Sequence, residues 1–185
     1  MPKRPTQKES TRAKYWIGAL VSILVVGASY GIYSIMQPKH EKPPVAASYQ
    51  VFPQQPATHI SEGAEHPPYN SLPPTSGWHY ARWAPWGISE APIPDELQVH
   101  NLEHGGVLIQ YHPDLSTEEV AQLKEIARNL ERRYCKILMA PYPKLDKRVA
   151  LTAWQRLDKF DTVDQARIEA FAREFVNKGP ERVPC

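Results

Sequence analysis

Polar and apolar positions divide the chain into three regimes. Residues 17–36 are twenty consecutive positions without a charge. Residues 37–94 show neither a helical nor a strand period and hold most of the prolines. From residue 95 onward the chain alternates short apolar runs with amphipathic stretches.

That last part predicts regular elements. Residues 107–111 (Val-Leu-Ile-Gln-Tyr) read as a buried strand. Ser116 and Glu119 form a capping box before a helix that runs to about Arg133. The helix places Val120, Leu123, Ile126, Ala127 and Leu130 on one face. Arg128, Arg132 and Arg133 sit at its C-terminal end, where positive charge suits the helix dipole. Residues 135–140 are a second strand, stopped by Pro141-Tyr142-Pro143, and residues 148–154 a third. Thr162 and Gln165 read as another capping box. The helix behind them turns Val163, Ala166, Ile168, Phe171 and Phe175 inward and ends at Gly179-Pro180. The first strand, helix and second strand predict a right-handed crossover. The second and third strands predict a hairpin, because residues 141–147 are too few for a helical crossover.

The middle regime has two parts. Residues 37–58 read as a stalk, extended and semi-rigid through Pro38, Pro43, Pro44, Pro53 and Pro56. His40 and His59 read there as polar linker residues. Residues 66–94 combine prolines with Tyr69, Trp78, Tyr80, Trp83 and Trp86. Proline at this density excludes helix interiors and central strands, but the aromatic mass is too large for a solvated loop. It predicts an ordered irregular wrap lying on the domain, its backbone groups satisfied by Asn70, Thr75, Ser76 and water. The fold class is therefore α/β or α+β: a small sheet, two packed helices and a proline/aromatic-rich wrap, preceded by one transmembrane helix.

Charge sets the orientation. Residues 1–15 carry Lys3, Arg4, Lys8, Arg12 and Lys14 against Glu9. Twenty helical residues span about 30 Å, the thickness of the hydrocarbon core. Tyr15 and Trp16 stand where an interfacial aromatic belt belongs, and the basic flank puts the N-terminus in the cytoplasm. The expected layout is a basic cytoplasmic tail (1–16), a transmembrane helix (17–36), a stalk (37–58) and an extracytoplasmic domain (59–185). The protein would then be a single-pass membrane protein with its C-terminal domain outside the cytoplasm. A cleaved signal peptide is the rival reading, disfavoured because the apolar run exceeds the usual 7–15 residues. The basic charge belongs to the tail, so nucleic acid is not an expected partner. Cys135 and Cys185 could pair outside the cytoplasm. No C-x-x-C motif supports dithiol redox chemistry.

The candidate chemistry centres on Val99-His100-Asn101-Leu102-Glu103-His104-Gly105-Gly106. Residues 95–104 can form a short helix ended by Gly105, which puts His100 and His104 on one face. The wrap is expected to bring over His79, in Pro73-Pro74-Thr75-Ser76-Gly77-Trp78-His79, and His66. Imidazole suits zinc and copper, and Met139 is a candidate soft sulfur. The expected metal site is His66, His79, His100, Glu103 and His104, holding copper or zinc, with a metal-handling or envelope protein as partner. Two alternatives stand beside it. One is a zinc hydrolase built on His100-x-x-Glu103-His104, with the glutamate deprotonating water. The other is a non-metal interaction module in which buried His and Glu tie the wrap to the sheet. The motifs leave open whether any reaction is catalysed.

Taken in series, Pro73-Pro74-Thr75-Ser76-Gly77-x-His79, Trp83, Gly87, Val99-His100-Asn101-Leu102-Glu103-His104-Gly105, Tyr111 and Leu151-Thr152-Ala153-Trp154 resemble a bacterial family catalogued as domain of unknown function 3105. The resemblance covers roughly residues 60–178. It implies a membrane-anchored or secreted protein and a candidate site at the two histidine motifs, but no reaction. Trp78 stands where many relatives carry proline, and Ile88-Ser89 follow Gly87 where an aromatic is common.

Overall fold

The computed structural model describes residues 46–184. The expected basic tail and transmembrane helix lie outside the described residues. Among the described residues no helix is long and apolar enough to cross a membrane.

The elements run β1 (Gln50–Val51), β2 (His59–Ile60), β3 (His79–Tyr80), β4 (Gly87–Ile88), α1 (Asp95–Glu103), β5 (Val107–Tyr111), α2 (Thr117–Tyr134), β6 (Ile137–Pro141), β7 (Val149–Ala153), β8 (Arg156–Phe160) and α3 (Gln165–Phe175). Six strands form one sheet in the order β1-β8-β7-β5-β6-β4, and β2 and β3 form a separate two-stranded ribbon. β5 and β6 are parallel and joined through α2, as the sequence predicts.

The expected β6–β7 hairpin does not form. β7 pairs antiparallel with β5, on the opposite side from β6. Its hairpin partner is β8, which sequence reading missed. Gln155 makes that turn at φ 62, a left-handed position. Arg156, Asp158 and Lys159 gave β8 a charged appearance that hid a strand with Leu157 and Phe160 buried.

Alternation along the strands divides the sheet into two faces. Val107, Ile109 and Tyr111 of β5 join Ile137, Met139, Val149 and Leu151 under α2 and α3, against Leu123, Ile126, Leu130, Ile168 and Phe171. Leu108, Leu138 and Trp154 meet Ala84, Leu97, Val99 and Leu102, so α1 and the wrap cover the other face. Met139 is therefore core under the helices and supplies no sulfur to a site on the α1 side. Ala166, expected inward, is exposed.

The α2 capping box is present: Glu119 N–H donates to Ser116 Oγ at 3.2 Å, and Ser116 N–H donates to Glu119 Oε2 at 3.0 Å. Such a cap contributes about 1 kcal/mol. α3 is capped instead by Asp164, whose carboxylate accepts from Arg167 N–H at 3.0 Å. The expected Thr162–Gln165 box lies too early, because the helix begins at Gln165.

The stalk is shorter than the sequence suggests. Gln50 and Val51 pair with Leu157 and Arg156. Phe52 N–H donates to the Gln155 carbonyl at 3.0 Å. Gln55 and Asn70 then stitch this segment to the wrap: Asn70 N–H donates to Gln55 Oε1 and Asn70 Nδ2 to the Pro53 carbonyl. Backbone pairing of this kind needs no apolar period and left none in the sequence. Cys135 is disulfide-bonded; the chain's other cysteine, Cys185, lies outside the described residues.

Candidate metal centre

α1 carries the centre of the site. It starts after Pro94 with Asp95 and Glu96 in its first turn, a placement favoured by the dipole. It stops in a Schellman motif: Gly106 N–H donates to the Asn101 carbonyl and Gly105 N–H to the Leu102 carbonyl, each at 2.9 Å. Gly105 takes φ +80, which an L side chain rarely adopts. Gly106 is required by space, since a Cβ there would come 2.6 Å from the Trp86 ring and 2.7 Å from the Asn101 carbonyl. This sharp stop leaves His100, Glu103 and His104 buried at one end of the helix.

The wrap brings the other side chains. Asn101 anchors it by exchanging two 2.9 Å hydrogen bonds with the Ala84 backbone. Ser76 Oγ accepts from Gln55 N–H, and Gln155 N–H donates to the Thr75 carbonyl. The ribbon pairs His59 with His79 and Ile60 with Tyr80 in parallel register. His59, His79, His100 and Glu103 thereby place one ligand atom each within 4.8 Å of one another.

Tautomers in this group follow from its backbone partners. His79 Nδ1–H donates to the Gly77 carbonyl at 2.8 Å, and His100 Nδ1–H to the Tyr80 carbonyl at 2.6 Å. Carbonyl oxygens only accept, so both rings carry their proton on Nδ1. A neutral ring of this tautomer keeps its lone pair on Nε2, and the His100 Nε2 lies 3.0 Å from the His104 Nε2. His79 Nε2 is 2.8 Å from Glu103 Oε2. An unprotonated ring nitrogen and an ionised carboxylate would meet there as two acceptors. The contact must hold a proton or a cation. Backbone carbonyls that fix Nδ1–H are the usual means of aiming a ligating imidazole.

His59 completes the group from the open side. Its ring stacks on His100 at 5.2 Å with an interplanar angle of 2°, and its Nε2 is 3.8 Å from Glu103 Oε2. Half of its side chain is exposed (52%), whereas the His79 side chain is fully buried. Trp83 leans over His100 and His104 at 5.6 and 5.0 Å. Burial holds the His100 imidazole below its ordinary pKa. The Tyr80 carbonyl opposes that shift, and His104 and His79 add to it.

Of the residues expected from sequence, His79, His100 and Glu103 come together. His104 lies beside them, its Nε2 3.0 Å from His100 Nε2 and 3.2 Å from Glu181 Oε2. His66 does not join the group. It stacks near Tyr69 and Trp78, and its Nε2 faces Glu96 at 3.4 Å. The prolines after it, Pro67 and Pro68, send the chain toward Gln55 instead. His59, a linker residue by sequence, joins the group. Its only sequence signal is a polar position between β-branched Thr58 and Ile60.

The family described as "Protein of unknown function (DUF3105)" matches residues 59–185. The chain belongs to the DUF3105 family. The match begins at His59 and takes in every residue of the cluster. No curated protein matches the chain, and no solved structure does.

Proposed function

We propose that this DUF3105 protein binds a transition metal ion, zinc or copper, through His59, His79, His100 and Glu103, on the extracytoplasmic side of a bacterial inner membrane. One observation carries the reading. Two buried imidazoles are locked by backbone carbonyls at Nδ1, the His79 Nε2 meets the Glu103 carboxylate at 2.8 Å, and the ligand atoms of His59, His79, His100 and Glu103 lie within 4.8 Å of one another, with His59 closing the open side. Three nitrogens and one oxygen suit zinc and copper(II) better than copper(I), which favours sulfur. The half-exposed His59 gives the ion a way in and out, so binding, delivery or storage is favoured over catalysis. A metal-handling or envelope protein is the fitting partner. The membrane assignment rests on the charge-free residues 17–36 and their basic flank.

The test is elemental analysis of the full-length chain, purified with detergent, beside His79→Ala and His100→Ala. The expected result is stoichiometric zinc or copper in the parent and loss in both variants. A folded parent still empty after titration with both ions would sink the reading. The close His79–Glu103 contact would then favour the second reading, a buried polar tie between wrap and helix. Under that reading the variants lower the melting temperature and change no metal content.

A further inference from the structure

We infer that Glu103 bridges to a second cation site, formed with His104 and Glu181. The inference rests on the metal-binding reading above and extends it from one ion to two. Glu103, His104 and Glu181 place one ligand atom each within 4.8 Å of one another, and Glu103 is the only residue this group shares with the first. A carboxylate has two oxygens and can serve two ions about 3.5–4 Å apart. His104 is buried, on the residue that caps α1. Glu181 comes from the segment after α3, and its Oε2 stands 3.2 Å from His104 Nε2.

Glu181 is exposed, but its backbone is fixed. Its N–H donates to the Glu103 carbonyl at 3.1 Å, and Asn177 N–H donates to the Gly105 carbonyl at 2.8 Å. Between them Gly179 lies so close to the Glu103 carbonyl and Gly105 N–H that no Cβ fits. The buried Lys136 ammonium donates to the His104 carbonyl at 3.0 Å and to the Val183 carbonyl. The tail is thus fastened to the end of α1 on both sides of Glu181. This construction holds a carboxylate over His104, where a loose surface glutamate would not stay. One nitrogen and two carboxylates form a harder donor set than the first group, suited to zinc or manganese and poorly suited to copper(I).

The experiment loads the full-length chain, in detergent, with excess zinc, removes free ion by gel filtration and counts the ions retained per chain. The parent, Glu181→Gln and His59→Ala are compared, with circular dichroism to verify folding. Glu181→Gln is nearly isosteric and keeps the backbone bond to Glu103. The expected result is two ions in the parent and one in each variant. Manganese added to the Glu181→Gln protein would give the electron paramagnetic resonance signal of an isolated ion, against a spin-coupled signal in the parent. One ion in the parent and one in Glu181→Gln would overturn the second site and leave the first standing. Two ions in both would remove Glu181 from any site. No ion in the parent would overturn the metal-binding reading and this inference together.

Discussion

The two faces of the sheet are built by different means. Under α2 and α3 the contacts are apolar and periodic: Leu123, Ile126, Leu130, Ile168 and Phe171 meet alternate residues of β5, β6 and β7. Under α1 and the wrap the apolar patch is smaller, and polar groups reach the sheet itself. Gln110 of β5 donates to Gln98 of α1 at 3.1 Å and to Thr152 of β7 at 3.0 Å. Beyond them lie Asn101, His100, His79 and Glu103, nearly all buried. The first face is held by area removed from water, which is tolerant of direction. The second is held by hydrogen bonds that fix each ring's orientation. The larger apolar core and the candidate metal centre therefore sit on opposite sides of one sheet.

The largest effect that would break this division is a truncation under the helices. Phe171 is fully buried and meets Phe175 edge-on at 4.8 Å. Phe171→Ala should cost about 3–5 kcal/mol, read as a fall in the denaturant midpoint. Metal retained per folded molecule should not change. If the truncation emptied the site while the fold persisted, the two faces would be coupled and the division wrong.

The same division decides what could be read from sequence. The α2/α3 face was legible because a 3.6-residue period and a capping box are local signals, and Ser116–Glu119 and Leu123–Leu130 appear as expected. His79, His100 and Glu103 were legible as chemistry because charge-capable residues crowd an apolar run. Their companions were not. His59 reaches the site through a two-residue parallel ribbon, and Glu181 through a tail fastened by its backbone. Neither contact has a period or a residue preference to announce it. His66 reads as a ligand because it belongs to the crowded run of histidines from 66 to 112, and it is the rings of Tyr69 and Trp78 that hold it elsewhere. The position of β7 beside β5 is a tertiary choice that loop length alone could not decide.

A smaller change on the other face should act on both properties at once. A methyl at Gly106 meets the Trp86 ring and the Asn101 carbonyl, and the carbonyl is part of the α1 stop. Gly106→Ala should cost about 1–3 kcal/mol by overpacking. Because that stop aims His100, Glu103 and His104, zinc affinity should fall with it, measured by competition against a chelator. Loss of stability with unchanged affinity would show that the site tolerates movement of the helix end, against the rigid orientation argued above.

The smallest expected effect belongs to the helical face and depends on pH. Glu119 closes the α2 cap and pairs with Arg148 through two contacts, at 2.9 and 2.6 Å. The Arg148 hydrogen bond, then the Ser116 backbone N–H, hold its carboxyl below the ordinary glutamate value of 4.5. A carboxylate with a depressed pKa in the folded protein stabilises fully above its unfolded value. That contribution fades as pH falls through the folded value. Glu119→Gln keeps an acceptor for the Ser116 N–H and loses only the charge, so it should melt below the parent at pH 7 by about a degree, what a solvent-screened pair provides. The gap should close progressively below pH 4.5, where the parent's own carboxylate takes up its proton. Zinc affinity at pH 7 should be the same in both proteins. This places the test on the face where a small electrostatic loss is expected to stay local. A gap that widened on acidification would reverse the sign of the linkage and remove the Glu119–Arg148 pair from the account of this face.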